Sequence, residues 1–224
     1  MHNSIIYFIF PKDETTDFLD EIFNHVSTKT EANITLHRIE TISDHTSFLD
    51  KANDILPENG TIIFMGHGMS TALSGASIGT SSYGPFISES ELSIFKNRKV
   101  VLLTCRSTEY LKQFGKDCGL KAGLGFPNLI TDPYEILYPE EPERVNGIKN
   151  TDIDLFKKLL VDIVKYSLEE YIIEKLSFYE FYKRIKLRVQ KALIQYYSLN
   201  PCKGKTPYGK MLYDLNDGIS IIGN

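Results

Sequence analysis

The sequence predicts an α/β fold with a mainly parallel sheet and a C-terminal helical element. Three observations carry that reading. Short apolar runs with the character of buried strands occur at 4–10, 61–65 and 99–104. Amphipathic helical stretches separate most of them, and beyond Asn150 helical periodicity takes over almost completely. Strands alternating with helices indicate parallel pairing through helical crossovers.

Taken in order, Ser4 to Phe10 is a continuous apolar run closed by Pro11, as expected of a strand covered on both faces. Thr15 to Val26 sets Phe18, Leu19, Ile22, Phe23 and Val26 on one helical stripe. Asn33 to Ile39 alternates as a strand does, and Ser43 to Leu56 reads as a helix capped by Ser43 or Asp44 and stopped by Pro57. Thr61–Met65 and Lys99–Thr104 are the next strands. The Gly/Ser/Thr-rich stretch from Gly66 to Ser90 between them is too polar to be core. Ser107 to Cys118 reads as a helix ended by Gly119, and Ala122 to Ile130 holds a short strand. In the C-terminal part, Phe156 to Ile172 has helical spacing. Ser177-Phe178-Tyr179-Glu180 is a capping box opening a second helix to about Tyr197, and Gly218 to Ile222 is a last strand. Residues 1–224 are expected to form one domain. Its α/β core is 1–149, its helical element is 150–217, and its terminal strand is 218–224.

Composition narrows the function classes. The chain has 224 residues, 42% of them apolar, and a net charge of −4. No apolar run approaches the ~20 residues of a membrane span, and Ile5 to Phe10 is too short for a signal-peptide core. A cytoplasmic location and no membrane contact are expected. Three cysteines, an odd number without a CxxC pair or zinc spacing, argue for reduced thiols and no metal. Residues 1–149 carry 13 basic and 20 acidic side chains (−7), and 150–224 carry 12 and 9 (+3). The tail's excess lies in Lys183, Arg184, Lys186, Arg188 and Lys191, which spread around a helix as a solvated face does. Nucleic acid is not the expected partner.

The chemistry concentrates at two strand ends. Gly66-His67-Gly68 follows the strand ending at Met65, and Cys105 follows the one ending at Thr104. Ligands gather at the carboxyl ends of parallel strands. If these two strands are neighbours, His67 and Cys105 share one edge, where an imidazole can take the proton of a thiol and leave a nucleophilic thiolate of lowered pKa. The amides of Gly68 and Cys105 would then be placed to donate to an oxyanion. Taken singly, a cysteine at a strand end is also a common small core residue, and a lone histidine is commonly structural.

A strand ending in His-Gly followed by a strand ending in Cys resembles the caspase-like (clan CD type) cysteine peptidases: caspases, metacaspases, gingipains, separases and bacterial CHAT-domain proteases. The separation of 38 positions is shorter than the roughly 50 of caspases. Thr104-Cys105-Arg106-Ser107 keeps only the Cys-Arg core of the caspase signature, closer to bacterial relatives. The helix after the cysteine, the Ala122–Phe126 strand and the terminal Ile219–Asn224 also resemble that group. The resemblance covers about 4–135 plus the last strand. It implies a caspase-like three-layer sandwich and a cysteine endopeptidase acting on a protein or peptide substrate. It further implies a His67/Cys105 dyad, an oxyanion hole of the Gly68 and Cys105 amides, and no cofactor. A regulated, stress- or defence-linked cleavage of one dedicated protein would fit such relatives. For the pocket receiving the residue before the cut, Asp132 or Glu109 would favour a basic side chain and Arg106 an acidic one. For each of the three, a helix-turn or surface charge is the more common role.

The 69–98 connection, with Ser70, Ser74, Ser81, Ser82 and Gly84, is long enough to be a mobile lid. Cys118 and Cys202 lack a comparable context, and His2, His25, His37 and His45 lack a partner motif. One rival is a phosphate- or nucleotide-binding module using Gly66, Gly68, Gly75 and Gly79, although GxGxxG fails at Thr71 and no GxxxxGK[ST] occurs. Another is a catalytically inactive caspase-like scaffold that binds a regulatory partner through the 151–198 helices. An α/β-hydrolase lacks its GxSxG elbow.

Overall fold

Six strands form the central sheet: β1 (Ile5–Pro11), β2 (Asn33–Ile39), β3 (Thr61–Met65), β4 (Lys99–Leu103), β5 (Ala122–Gly125) and β6 (Ser220–Gly223). Their order is β6-β5-β4-β3-β1-β2, with β1 to β5 parallel and β6 antiparallel to β5. The computed structural model describes residues 5–139 apart from 79, 80 and 83, then 141–200 and 206–223. His2, Ser4, Gly79, Cys202, Asn224 and the side chains of Ser81 and Ser82 lie outside that description.

Alternation along the strands explains why both sheet faces are covered. Ile6, Phe8 and Phe10 of β1 face one apolar cluster with Ile63, Met65, Val101 and Leu103, while Tyr7 and Ile9 face another with Ile62, Phe64, Val100 and Leu102. The first cluster takes in α1 (Asp20–Lys29), α6 (Asn150–Ile173), α7 (Phe178–Leu199) and α8 (Pro207–Gly218). The second takes in α2 (Ile42–Ile55) and α3 (Ser107–Phe114). Two short helices, α4 (Pro133–Leu137) and α5 (Pro142–Val145), follow β5. The result is α/β, with a mostly parallel sheet between helical layers.

Local chemistry moved several boundaries. The first helix begins at Asp20 after a 3-10 turn at Asp17–Leu19, because Asp13 holds the preceding residues in a turn with Thr15 and Thr16 donating to it. Thr41, not Ser43 or Asp44, caps α2. Its hydroxyl accepts from the Asp44 N–H at 3.1 Å, and Asp44 is the reciprocal half of that capping box. The box at Ser177 and Glu180 opens α7 as expected. Helix α3 stops at Phe114, strand β5 at Gly125, and α8 adds a helix that periodicity did not resolve. The stretch after Gly66 is not all polar loop: Leu73, Phe86 and Ile87 are buried in the second cluster, and a 3-10 helix spans Glu89–Phe95.

Gly125 and Ser107 join α3 to the sheet. A β-carbon at Gly125 would lie 2.6 Å from the Thr108 nitrogen, so only glycine lets the helix start so close to β5. The Ser107 Oγ donates to the Leu102 carbonyl at 2.6 Å and accepts from the Phe126 N–H at 2.8 Å, fully buried. Ser107→Ala strands both groups and should cost about 1–3 kcal/mol in urea unfolding. A variant as stable as the parent would show that these bonds carry no net stability.

Four of the five basic residues in α7 are engaged within the chain. Arg184 and Arg188 pair with Glu170, Lys186 donates to the Asn216 carbonyl, and Lys183 sits over the Tyr179 ring. Among the described residues no helix is long and apolar enough to cross a membrane.

Candidate functional site

The chain runs outward from β1 to β2, then returns to β3 on the other side of β1. Such a reversal opens a crevice at the carboxyl ends of the strands flanking it. Strands β3 and β4 pair with Met65 opposite Leu103, an offset of 38 held along the whole ladder. His67 and Cys105 differ by the same 38. Each therefore lies two residues beyond its strand at the same level, and the Gly66 N–H still donates to the Leu103 carbonyl at 3.4 Å. The two turns touch: a β-carbon at Gly68 would lie 2.6 Å from the Thr104 Oγ1 and 3.4 Å from the Cys105 carbonyl oxygen. His67, Gly68 and Cys105 line one cavity of about 470 Å³.

The end of β1 enters the same edge and supplies two residues that periodicity had assigned elsewhere or passed over. Thr15 Oγ1 lies 2.6 Å from His67 Nε2, and Asp13 Oδ1 lies 3.4 Å from the same nitrogen. Thr15 donates to Asp13 Oδ1 through its hydroxyl at 2.5 Å and its N–H at 2.8 Å. Burial opposes ionisation of Asp13, but the hydrogen bonds from His67 and Thr15 outweigh it and hold the carboxyl at about 2. Applying the strand-end rule to β1 as well as to β3 and β4 finds Asp13 from the sequence.

Cys105 sits in a sharp strand-to-helix elbow. Arg106, the residue after it, adopts left-handed backbone angles (φ 55°, ψ 18°) and donates its N–H to the Pro127 carbonyl at 3.1 Å. A non-glycine residue in that region costs on the order of 1–3 kcal/mol, and such outliers cluster at functional sites. The thiol itself contradicts the expected low pKa. Its Sγ–H donates to the Leu129 carbonyl at 3.1 Å. Burial pushes the thiol up to about 12, and the Glu135 carboxylate adds to the effect. The resting sulfur is a protonated thiol. The backbone N–H groups of Gly68 and Cys105 have no acceptor among the described residues.

The charged residues named for the substrate pocket divide. Asp132 lines the cavity but also caps α4, its Oδ1 accepting from the Tyr134 N–H at 2.8 Å. Arg106 lines it too, with its guanidinium ion-paired to Glu141. Glu109, an exposed residue in the first turn of α3, does not line it. The sequence reading passed over Glu135, which lines the cavity and influences both Cys105 and His67 electrostatically. Burial raises its carboxyl pKa, against the Thr131 and Asp132 N–H groups that donate to Oε1 at 3.0 Å each. Arg144 was also missed; it meets Glu141 at 3.5 Å and Asp214 at 3.4 Å. Both missed residues lie in short helices without enough length to show periodicity.

Among the described residues of the 69–98 connection, only Met69, Ser70 and Thr71 line the cavity, while Leu73, Phe86, Ile87, Leu92 and Phe95 are buried in the core. These buried residues pack as core and do not cover the site, while Gly79 and the side chains of Ser81 and Ser82 lie outside the described residues. The glycine loop is also a poor phosphate cradle. The amides of Gly66, Met69, Ser74 and Gly75 donate to carbonyls of Leu103, Ala72, His67 and Gly84 and are not open to a phosphate, and the next α-helix begins only at Ser107, after β4. Among the described residues no group of three His, Cys, Asp or Glu side chains is arranged to hold a metal ion.

An imidazole, a thiol, two amides without acceptors among the described residues and a cavity thus meet at parallel strand ends. No family model matches the chain, and no curated protein matches it.

Proposed function

We propose that this chain is a caspase-like cysteine endopeptidase whose dyad is His67 and Cys105. The observation that carries the proposal is the shared register of 38. It brings an imidazole and a thiol to adjacent strand ends over one cavity, beside two amides without acceptors among the described residues. His67 Nδ1 takes the Sγ proton as substrate seats, and the thiolate attacks the scissile carbonyl carbon. The Gly68 and Cys105 N–H groups hold the oxyanion. Collapse breaks the C–N bond, the leaving amine takes the proton from Nδ1, and a thioester on Cys105 remains. Water then gives a proton to His67, attacks the thioester, and releases the acid with the thiol restored.

The residue before the cut is basic in this reading. The carboxylates of Asp132 and Glu135 line the cavity, whereas Arg106 and Arg144 already face Glu141 and Asp214. A dedicated protein is the substrate, a regulatory partner meets the 151–198 helices, and the location is cytoplasmic. A second reading, an inactive scaffold, draws support from the thiol held at about 12.

Peptidyl ketones ending in Arg or Asp separate these readings. The Arg reagent should add covalently to Cys105, leave Cys118 unmodified, and lose its reaction in His67→Ala, as read by peptide-resolved mass spectrometry. Equal labelling of both cysteines would sink the dyad. Preference for the Asp reagent would transfer the pocket to Arg106.

A further inference from the structure

We propose that Thr15 and Asp13 are positioning residues that fix His67 as the Nε2–H tautomer, leaving Nδ1 as the basic nitrogen. The proton inventory requires this arrangement. A threonine hydroxyl has one hydrogen, and Thr15 gives it to Asp13 Oδ1 at 2.5 Å. The lone pairs of Thr15 Oγ1 then face His67 Nε2 at 2.6 Å, so that nitrogen must carry the hydrogen of the contact. A neutral imidazole protonated on Nε2 has its lone pair on Nδ1, and Nδ1 has no partner among the described residues.

Geometry keeps the chain of donors from reversing. An ionised carboxylate only accepts, and Asp13 is ionised at any pH well above 2. The Asp13 oxygen also takes the Thr15 N–H at 2.8 Å, and the Asp13 carbonyl takes the Thr16 N–H at 3.0 Å. Lys12 anchors the start of the turn by donating its N–H to the Ile39 carbonyl at 2.8 Å. Asp13 Oδ1 stands 3.4 Å from Nε2, beside any positive charge that His67 acquires. A histidine free to adopt either tautomer would present Nδ1–H to the cavity for part of the time, and that form cannot take a proton there.

The tautomer is a property of the resting protein. Its consequence for turnover rests on His67 being the base proposed above. Long-range proton–nitrogen NMR of uniformly nitrogen-15-labelled protein reads it directly near pH 8, with His67 signals identified by their loss in His67→Gln. The expected spectrum shows Nε2 as the proton-bearing nitrogen and Nδ1 as the bare one. Thr15→Val should move His67 toward the other tautomer or an exchanging mixture, and Thr15→Ser should restore the parent pattern. Should Thr15→Val melt early, Asp13→Ala decides by the same spectrum, because the hydroxyl then loses its fixed acceptor. In hydrolysis of an Arg-ending peptide, Thr15→Val should lower kcat about tenfold or more with KM little changed, and Thr15→Ser should recover it. A parent spectrum with Nδ1–H, or a tautomer unmoved by the Thr15 and Asp13 changes, would overturn the proposal. A parent that holds the expected tautomer but cleaves no peptide leaves the positioning role standing and removes the peptidase reading.

Discussion

Alanine at Cys105 is expected to reduce peptide hydrolysis by roughly 10⁵-fold or more, to the level supplied by the remaining site alone. His67→Ala should lose about 10²–10⁴-fold, the usual contribution of a general base. The double variant should be no slower than Cys105→Ala. With the nucleophile gone there is no thiol proton for His67 to move, so the two losses cannot add. Neither change should unfold the chain, since both side chains line the cavity and only the cysteine touches the core cluster. Release of a fluorophore from an Arg-ending peptide, with melting curves alongside, measures both quantities. Full activity in Cys105→Ala would rule out thiol catalysis, and losses that multiply would show that the two residues act independently.

Iodoacetamide should alkylate Cys105 about 10²-fold more slowly than glutathione at pH 8. A thiol held at about 12 is ionised to only ~10⁻⁴ at that pH, against about a quarter for an ordinary cysteine near 8.5. That deficit exceeds 10³-fold, and the greater nucleophilicity of a more basic thiolate returns roughly 30-fold of it. The sign follows from burial disfavouring the charged form. Below about 12 the neutral thiol dominates, so the rate should climb about tenfold per pH unit from 7 to 11. A plateau reached below pH 8 would instead mean that His67 and Cys105 already exist as an ion pair. The expected contrast with a peptidyl ketone has a physical source: the Sγ–H bond to the Leu129 carbonyl holds only for the neutral thiol, and a seated substrate must displace it.

Much of the scaffold is legible from residue order. The apolar runs at 61–65 and 99–103 are strands because each is short, continuous and flanked by polar or glycine residues. The box at Ser177 and Glu180 starts a helix where its spacing says. Local sequence fails where long-range contacts choose among local options. Thr15 opens a segment with helical periodicity, yet Asp13 captures its N–H and hydroxyl and places it against His67, 52 positions away. Leu73, Phe86 and Ile87 lie in a Gly/Ser-rich stretch and are core because α2 and α3 leave a face of the sheet for them to cover.

By itself the sequence determined the strand ends and the identities of the residues placed on them. His67 two residues past one strand and Cys105 two past another are facts of order, and buried strands are recognisable from short-range composition. Tertiary structure alone decided what those residues can do. The register that aligns them, the Asp13–Thr15 pair that engages the imidazole, and the burial and Glu135 carboxylate that keep the sulfur protonated all come from segments distant in sequence. Protonation depends on the dielectric and charge within a few ångströms of an atom, and residue order does not fix those neighbours until the chain has folded.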